Sequence, residues 1–276
     1  MKIIDGHTHL YADEIAKKVI DRFTDYHRME PLSGLGKGTV SDLQHKMSEG
    51  MISYSVVANF APLKSLSKTN DWTLRICREH KNLIPLVSIH PDMSVEEVAE
   101  YFEKGAKGIK MHNGIQEFEP DSDGLEKIYS YCSKNHIPIT FHCGETSRVH
   151  MNEYTDMSHI IPVVNAYPDI PFVLTHLAAS EPETIEEIAS SCPNALFDTS
   201  IAFSGEHCIH RIHNDLWEND DKAAGFFRNI GCERFSFGSD YPFGNPVSDI
   251  RRIMDLPLSE HEIEMILGEN TAALYF

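Results

Sequence analysis

His7 and His9 are separated by one residue. In an extended chain, residues two apart project from the same face, so this pair would present two imidazoles side by side. Neutral imidazoles joined by a carboxylate suit zinc first, with manganese or iron(II) as alternatives, and a catalytic site of this kind leaves one coordination position open to water. A metal so held lowers the pKa of that water toward neutrality. With 16 histidines in 276 residues, one such pair is expected about once by chance, so position has to supply the specificity. Position does supply it: Lys110 and His112 close one short apolar run, His142 closes the next, His176 the one after, and Asp240 follows the last.

Those runs are the elements that must position the chemistry. Eight β-rich stretches bounded by turn residues predict strands at 2–5, 54–60, 84–89, 107–111, 137–142, 171–176, 195–199 and 235–239. Helices lie between them. Ser94 with Glu97 forms a capping-box pattern ended by Gly105, Ser259 with Glu262 repeats it before Gly268, and Thr39 to Ser48 stops at Gly50. Eight alternations without a composition break or linker predict one domain over 1–276, an α/β fold of the (β/α)8 TIM-barrel class. Barrels of this class carry their chemistry at the C-terminal ends of the strands, where these polar residues fall. No glycine-rich phosphate loop follows the first strand. The run Gly34-Leu35-Gly36-Lys37-Gly38-Thr39 lacks the required spacing and reads as a flexible loop.

Composition narrows the class. Hydrophobic residues at 41% and charged residues at 24% are ordinary for a globular chain with a large core. The formal net charge of −18 repels phosphate backbones and anionic lipid, so neither nucleic acid nor membrane is expected as a partner. No long apolar span or secretion signal is visible, and a cytoplasmic protein is expected. Six scattered cysteines with no CxxC pair predict reduced core thiols.

Read together, Asp5-Gly6-His7-Thr8-His9, Gly108-Ile109-Lys110-Met111-His112, Phe141-His142-Cys143-Gly144, Leu174-Thr175-His176, Phe237-Gly238-Ser239-Asp240-Tyr241-Pro242 and the closing Gly268-Glu269-Asn270-Thr271-Ala272-Ala273-Leu274 resemble the amidohydrolase superfamily, in its amidohydrolase-related branch. The resemblance spans nearly the whole chain in the family's order. It implies a barrel with His7, His9, His142 and Asp240 as ligands of one or two divalent ions, and His176 as a further ligand or a group beside the reacting atoms. In the family's binuclear branch a lysine placed like Lys110 is carboxylated and bridges two metals; the other reading is an ammonium that holds a substrate carboxylate. The expectation taken here is a second metal, with Lys110 and His176 among its ligands. Asp240 would also accept the proton of the attacking water.

His90 and His112 adjoin turns and are left out of the ligand set. Arg148, in the loop after strand 5 with Glu145 and His150, is a candidate for binding an anionic substrate group, or else a surface partner of Glu145. The long segment 201–229 carries His207, His210 and His213 among Phe203, Trp217, Phe226 and Phe227, and reads as a lid or substrate wall in preference to a second metal site. The leading functional expectation is a metal-dependent hydrolase acting on an amide, ester or lactone of a small molecule. The alternative is a metal-dependent decarboxylase or hydratase acting on an unsaturated or aromatic carboxylic acid. A nuclease of the related TatD type is disfavoured by the acidic balance, and a non-catalytic barrel by the intact ligand set. A homo-oligomer is compatible with the sequence.

Overall fold

The computed structural model describes residues 1–26, 36–144, 153–203 and 219–276. Arg148, Glu145, His150, His207, His210, His213, Trp217, Gly34 and Leu35 lie outside the described residues. Eight parallel strands form one sheet in chain order: β1 (Ile3–Thr8), β2 (Ile52–Val57), β3 (Leu83–Val87), β4 (Gly108–Met111), β5 (Ile139–Phe141), β6 (Phe172–Leu174), β7 (Ala195–Asp198) and β8 (Phe235–Ser236). The fold is the (β/α)8 barrel that the alternation of elements predicts. The chain forms two compact units, one of Met1–Val57 with Asp198–Ala273 and one of Ala58–Phe197 with Leu274–Phe276.

In the first unit, β1 pairs in parallel with β2, and the chain after β8 returns to β1. The amide of Gly6 donates to Phe237 O at 2.8 Å, that of Asp240 to His7 O at 2.8 Å, and that of His9 to Tyr241 O at 2.6 Å. This interlock draws β1 past its predicted end at residue 5. Asp5 ends the predicted strand and His7 lies beyond it, yet both are buried and their polar groups are bonded, which lets the strand run on to Thr8.

In the second unit, β3 to β7 pair in order, with Ile109 facing Ile139, Ile139 facing Phe172 and Phe172 facing Ala195. These residues are all fully buried, as expected for a parallel sheet covered on both faces. The predicted sixth strand reached His176; the observed one stops at Leu174. Residues His176, Leu177, Ala178 and Ala179 have φ of 58, 52, 56 and 47°, a left-handed turn that cannot continue a strand.

The capping boxes at Ser94 and Ser259 form as their spacing predicts. Gly50 and Gly105 follow their helices. Gly268 does not act as a stop. Helical turns continue past it to Tyr275, and a Cβ there would lie 1.8 Å from Lys2 O, so this glycine serves a close backbone approach. The described part of the glycine-rich run, Gly36 to Gly38, is loop: Gly36 N donates to Pro242 O at 2.9 Å and Gly38 N to the Tyr241 hydroxyl at 3.1 Å. Cys77, Cys132, Cys143, Cys192 and Cys232 are buried thiols. Among the described residues no helix is long and apolar enough to cross a membrane.

One surface contact ties two helices of the first unit. Arg228, on the helix Asp220–Ile230, donates twice to Glu262 at 2.7 and 2.8 Å, and Glu262 closes the Ser259 capping box. The Arg228 hydrogen bond, followed by the Ser259 amide, pulls the Glu262 carboxyl down from 4.5 to about 2. Because the folded value is the lower one, this stabilisation is complete above pH 4.5 and is lost as pH falls toward 2. Glu262→Gln should cost about 1 kcal/mol at neutral pH, a shift of roughly 2–4 °C in Tm. The deficit should shrink in acid, as urea unfolding of both proteins across that range would show.

Candidate active site

The first unit brings His7, His9 and Asp240 together. His7 Nε2 and His9 Nε2 are 3.2 Å apart, and Asp240 Oδ1 lies 3.6 Å from the former and 3.0 Å from the latter. All three side chains are buried. Asp240 has φ of 55°, a left-handed conformation that non-glycine residues resist, and its hydrogen bond to His7 O helps to hold it there.

Behind His7 stands a residue the sequence reading did not assign. Asp198 ends β7, and its Oδ2 accepts from His7 Nδ1 at 2.7 Å. The Ser200 hydroxyl lies 3.1 Å from the same nitrogen and also contacts Asp198 Oδ1, which accepts the Ser200 amide at 3.0 Å. An ionised carboxylate only accepts, so Nδ1 carries a proton, and in the neutral ring Nε2 is then the lone-pair nitrogen facing His9 and Asp240. The available sign is a carboxylate at the C-terminal end of a predicted strand, the place where barrels of this class carry their chemistry.

Glycines let these strand ends meet. A Cβ on Gly6 would lie 2.9 Å from Phe237 O, and one on Gly238 would lie 2.8 Å from His7 Cβ and 3.2 Å from Asp198 Oδ2. Burial pushes the Asp5 carboxyl up to about 7, against the pull of donors from Ser239 and His7. Burial, then Asp240, pushes the Tyr11 phenol well above its usual range, so it stays protonated.

The second unit carries its own imidazole group. His142 Nδ1 lies 3.3 Å from His176 Nε2, and the His142 ring stacks on His112 with centroids 3.8 Å apart and planes 12° from parallel. Phe60 packs on His112 at 4.3 Å. His112, omitted from the predicted ligand set, is thus part of this cluster; its two-residue spacing from Lys110 at a strand end was the available sign. Lys110 itself is buried in β4, and its carbonyl accepts from the Ser88 hydroxyl at 3.0 Å. His90 is a turn residue, as expected, with Nδ1 accepting the Asp92 amide at 3.2 Å.

The sequence profile of the amidohydrolases matches residues 4–276. The chain belongs to the amidohydrolase family. Solved structures of similar fold include an uncharacterized TIM-barrel protein from Bordetella bronchiseptica, at 19% identity over 99% of this chain and 98% of that one, with a TM-score of 0.76. The 5-carboxyvanillate decarboxylase of Sphingomonas paucimobilis aligns at 12% identity over 99% and 98% of the two chains, with a TM-score of 0.72. The probable 2-pyrone-4,6-dicarboxylic acid hydrolase of Acinetobacter baumannii aligns at 15% identity over 99% of each chain, with a TM-score of 0.69. At these identities the likeness establishes the fold. No match is found among curated proteins.

The donor set fits the divalent metal that the family implies. Two nitrogens each about 2.0–2.1 Å from one zinc at a tetrahedral angle stand roughly 3.3 Å apart; the His7 and His9 Nε2 atoms are at 3.2 Å, and Asp240 supplies the negative charge. The Asp198–His7 bond is the carboxylate partner that metal-ligating histidines commonly have. Asp198→Asn should therefore weaken metal affinity by about 10–100-fold, measured by competition with a chromophoric chelator.

Proposed function

We propose that this amidohydrolase-family chain is a divalent-metal-dependent hydrolase of small molecules, with His7, His9 and Asp240 holding the ion. The observation that supports this most is the convergence of two Nε2 atoms and one carboxylate oxygen, with the His7 proton fixed on the far nitrogen by Asp198. In a barrel of this class, residues at strand ends carry the chemistry, and Lys110, His142 and His176 are proposed as the remaining metal ligands. Zinc is the first candidate on the chemistry of two imidazoles and a carboxylate.

A divalent ion there would polarise a carbonyl oxygen and make water acidic enough to act near neutral pH. The chain's own groups supply the rest. Asp240 is held by its backbone bonds so that its carboxylate can take the proton of the attacking water. The alternative role proposed for His176, in place of ligating an ion, is to hold or return a proton at the leaving group. Lys110 is buried at the end of β4; carboxylation would turn it into a ligand for a second ion. Two of the similar structures are named for ring-bearing carboxylic acids, a carboxyvanillate and a pyrone dicarboxylic acid. A small ring-bearing carboxylate is therefore the substrate class proposed for this chain. Decarboxylation of such an acid is the second reading, favoured by the decarboxylases among those structures.

The test pairs metal analysis of protein purified without chelator with turnover of lactones, amides and aromatic carboxylic acids in 18O-labelled water. The hydrolase reading expects one or two metal equivalents and 18O in the product; carbon dioxide release without 18O in the organic product would establish the second reading. His7→Ala and Asp240→Asn should abolish turnover while shifting Tm by only a few degrees, since side-chain layers inside the barrel carry its stability. Lys110→Ala should lose one metal equivalent. Full activity of His7→Ala under metal-replete conditions would refute the proposal.

A further inference from the structure

We infer that Asp5 is a positioning residue that latches the turn carrying Asp240 to the strand carrying His7, and so sets the spacing of the proposed metal ligands. The inference rests on the reading of His7, His9 and Asp240 as ligands. Asp5 lies fully buried in β1. Its Oδ1 accepts the amide of His7 at 3.1 Å and the amide of Ser239 at 3.0 Å. Its Oδ2 accepts the Ser239 hydroxyl at 2.6 Å, and that same hydroxyl oxygen accepts the amide of Tyr241 at 3.0 Å. One carboxyl group therefore grips His7 directly, Ser239 on one side of Asp240 directly, and Tyr241 on the other side through Ser239.

Three features give this grip its consequence. Asp5 accepts three hydrogen bonds and lies outside the group formed by His7, His9 and Asp240, so it serves the site through its neighbours. Asp240 occupies φ of 55°, a left-handed conformation that persists only when its surroundings fix it; the latch fixes the residues on both sides. The Asp240 amide also donates to His7 O at 2.8 Å, so a shift of the turn is transmitted to His7. A displacement of a few tenths of an ångström would spread donor atoms that now stand 3.0 to 3.6 Å apart.

The latch can be weakened in steps. Asp5→Asn keeps the shape but replaces one accepting oxygen by a donor, and Ser239→Ala removes the link to Oδ2 and to Tyr241 while leaving Asp5 in place. Metal-free protein would be titrated with Zn2+ against a chromophoric chelator, with Tm measured on the same samples. Asn270→Ala is the structural control: Asn270 donates to Cys232 O and Phe235 O at 2.8 and 2.7 Å in the same unit, and its loss should lower Tm without changing Zn2+ affinity. Asp5→Asn and Ser239→Ala are expected to weaken Zn2+ binding by about 10–100-fold, beyond what any drop in Tm brings in the control. If Asp5→Asn fails to fold, Ser239→Ala decides. Affinities within about twofold of the unmodified protein, with His7→Ala having lost binding, would overturn the latch and leave the ligand reading intact. Equal Zn2+ affinity in the unmodified protein and His7→Ala would instead overturn the ligand reading, and the latch with it.

Discussion

The hydrogen bond from His7 Nδ1 to Asp198, at 2.7 Å, is the interaction on which the chemistry of the first unit depends. It fixes which nitrogen carries the proton, and by doing so turns Nε2 into a lone-pair donor facing a second imidazole nitrogen and a carboxylate oxygen. A cation held among these two imidazole nitrogens and the buried Asp240 oxygen would neutralise the carboxylate. A proton can do this, but the separations match those of ligands around one metal ion. The acidic overall charge of −18 adds to the field that would draw such an ion in.

That arrangement needs two stretches of backbone closer than side chains would ordinarily permit. Gly6 and Gly238 allow it, one against Phe237 O and the other against His7 and Asp198. The backbone bonds His9 N to Tyr241 O and Asp240 N to His7 O then lock β1 and the segment after β8 in register. The strained φ of Asp240 is offset by this lock, a division in which rigid strand ends support a conformation that would not persist alone.

Much of this was legible in the sequence. The apolar runs reveal all eight strands because they are buried on both faces, as Ile109, Ile139 and Phe172 are. The grouping of His7, His9 and Asp240 follows from their places at strand ends. What escaped had a common cause: side chains whose role depends on a partner distant in the chain. Asp198 is the last residue of a strand, and only the fold brings it to His7, 191 positions away. The first strand runs past its predicted end at Asp5 to include His7, because the bond of His7 to Asp198 cannot be read locally. The left-handed turn at His176 to Ala179 contains no glycine, so no residue type announced it. His112 adjoined a turn, and its stacking on His142 appears only when β4 and β5 are side by side.

The central claim, that two imidazoles and a carboxylate of this chain bind one divalent ion, is tested most directly by X-ray absorption at the metal edge of the zinc-loaded protein. The account predicts a first shell of nitrogen and oxygen at about 2.0–2.2 Å with the outer-shell scattering of at least two imidazoles. A shell containing sulfur at about 2.3 Å, or one without imidazole scattering, would contradict it.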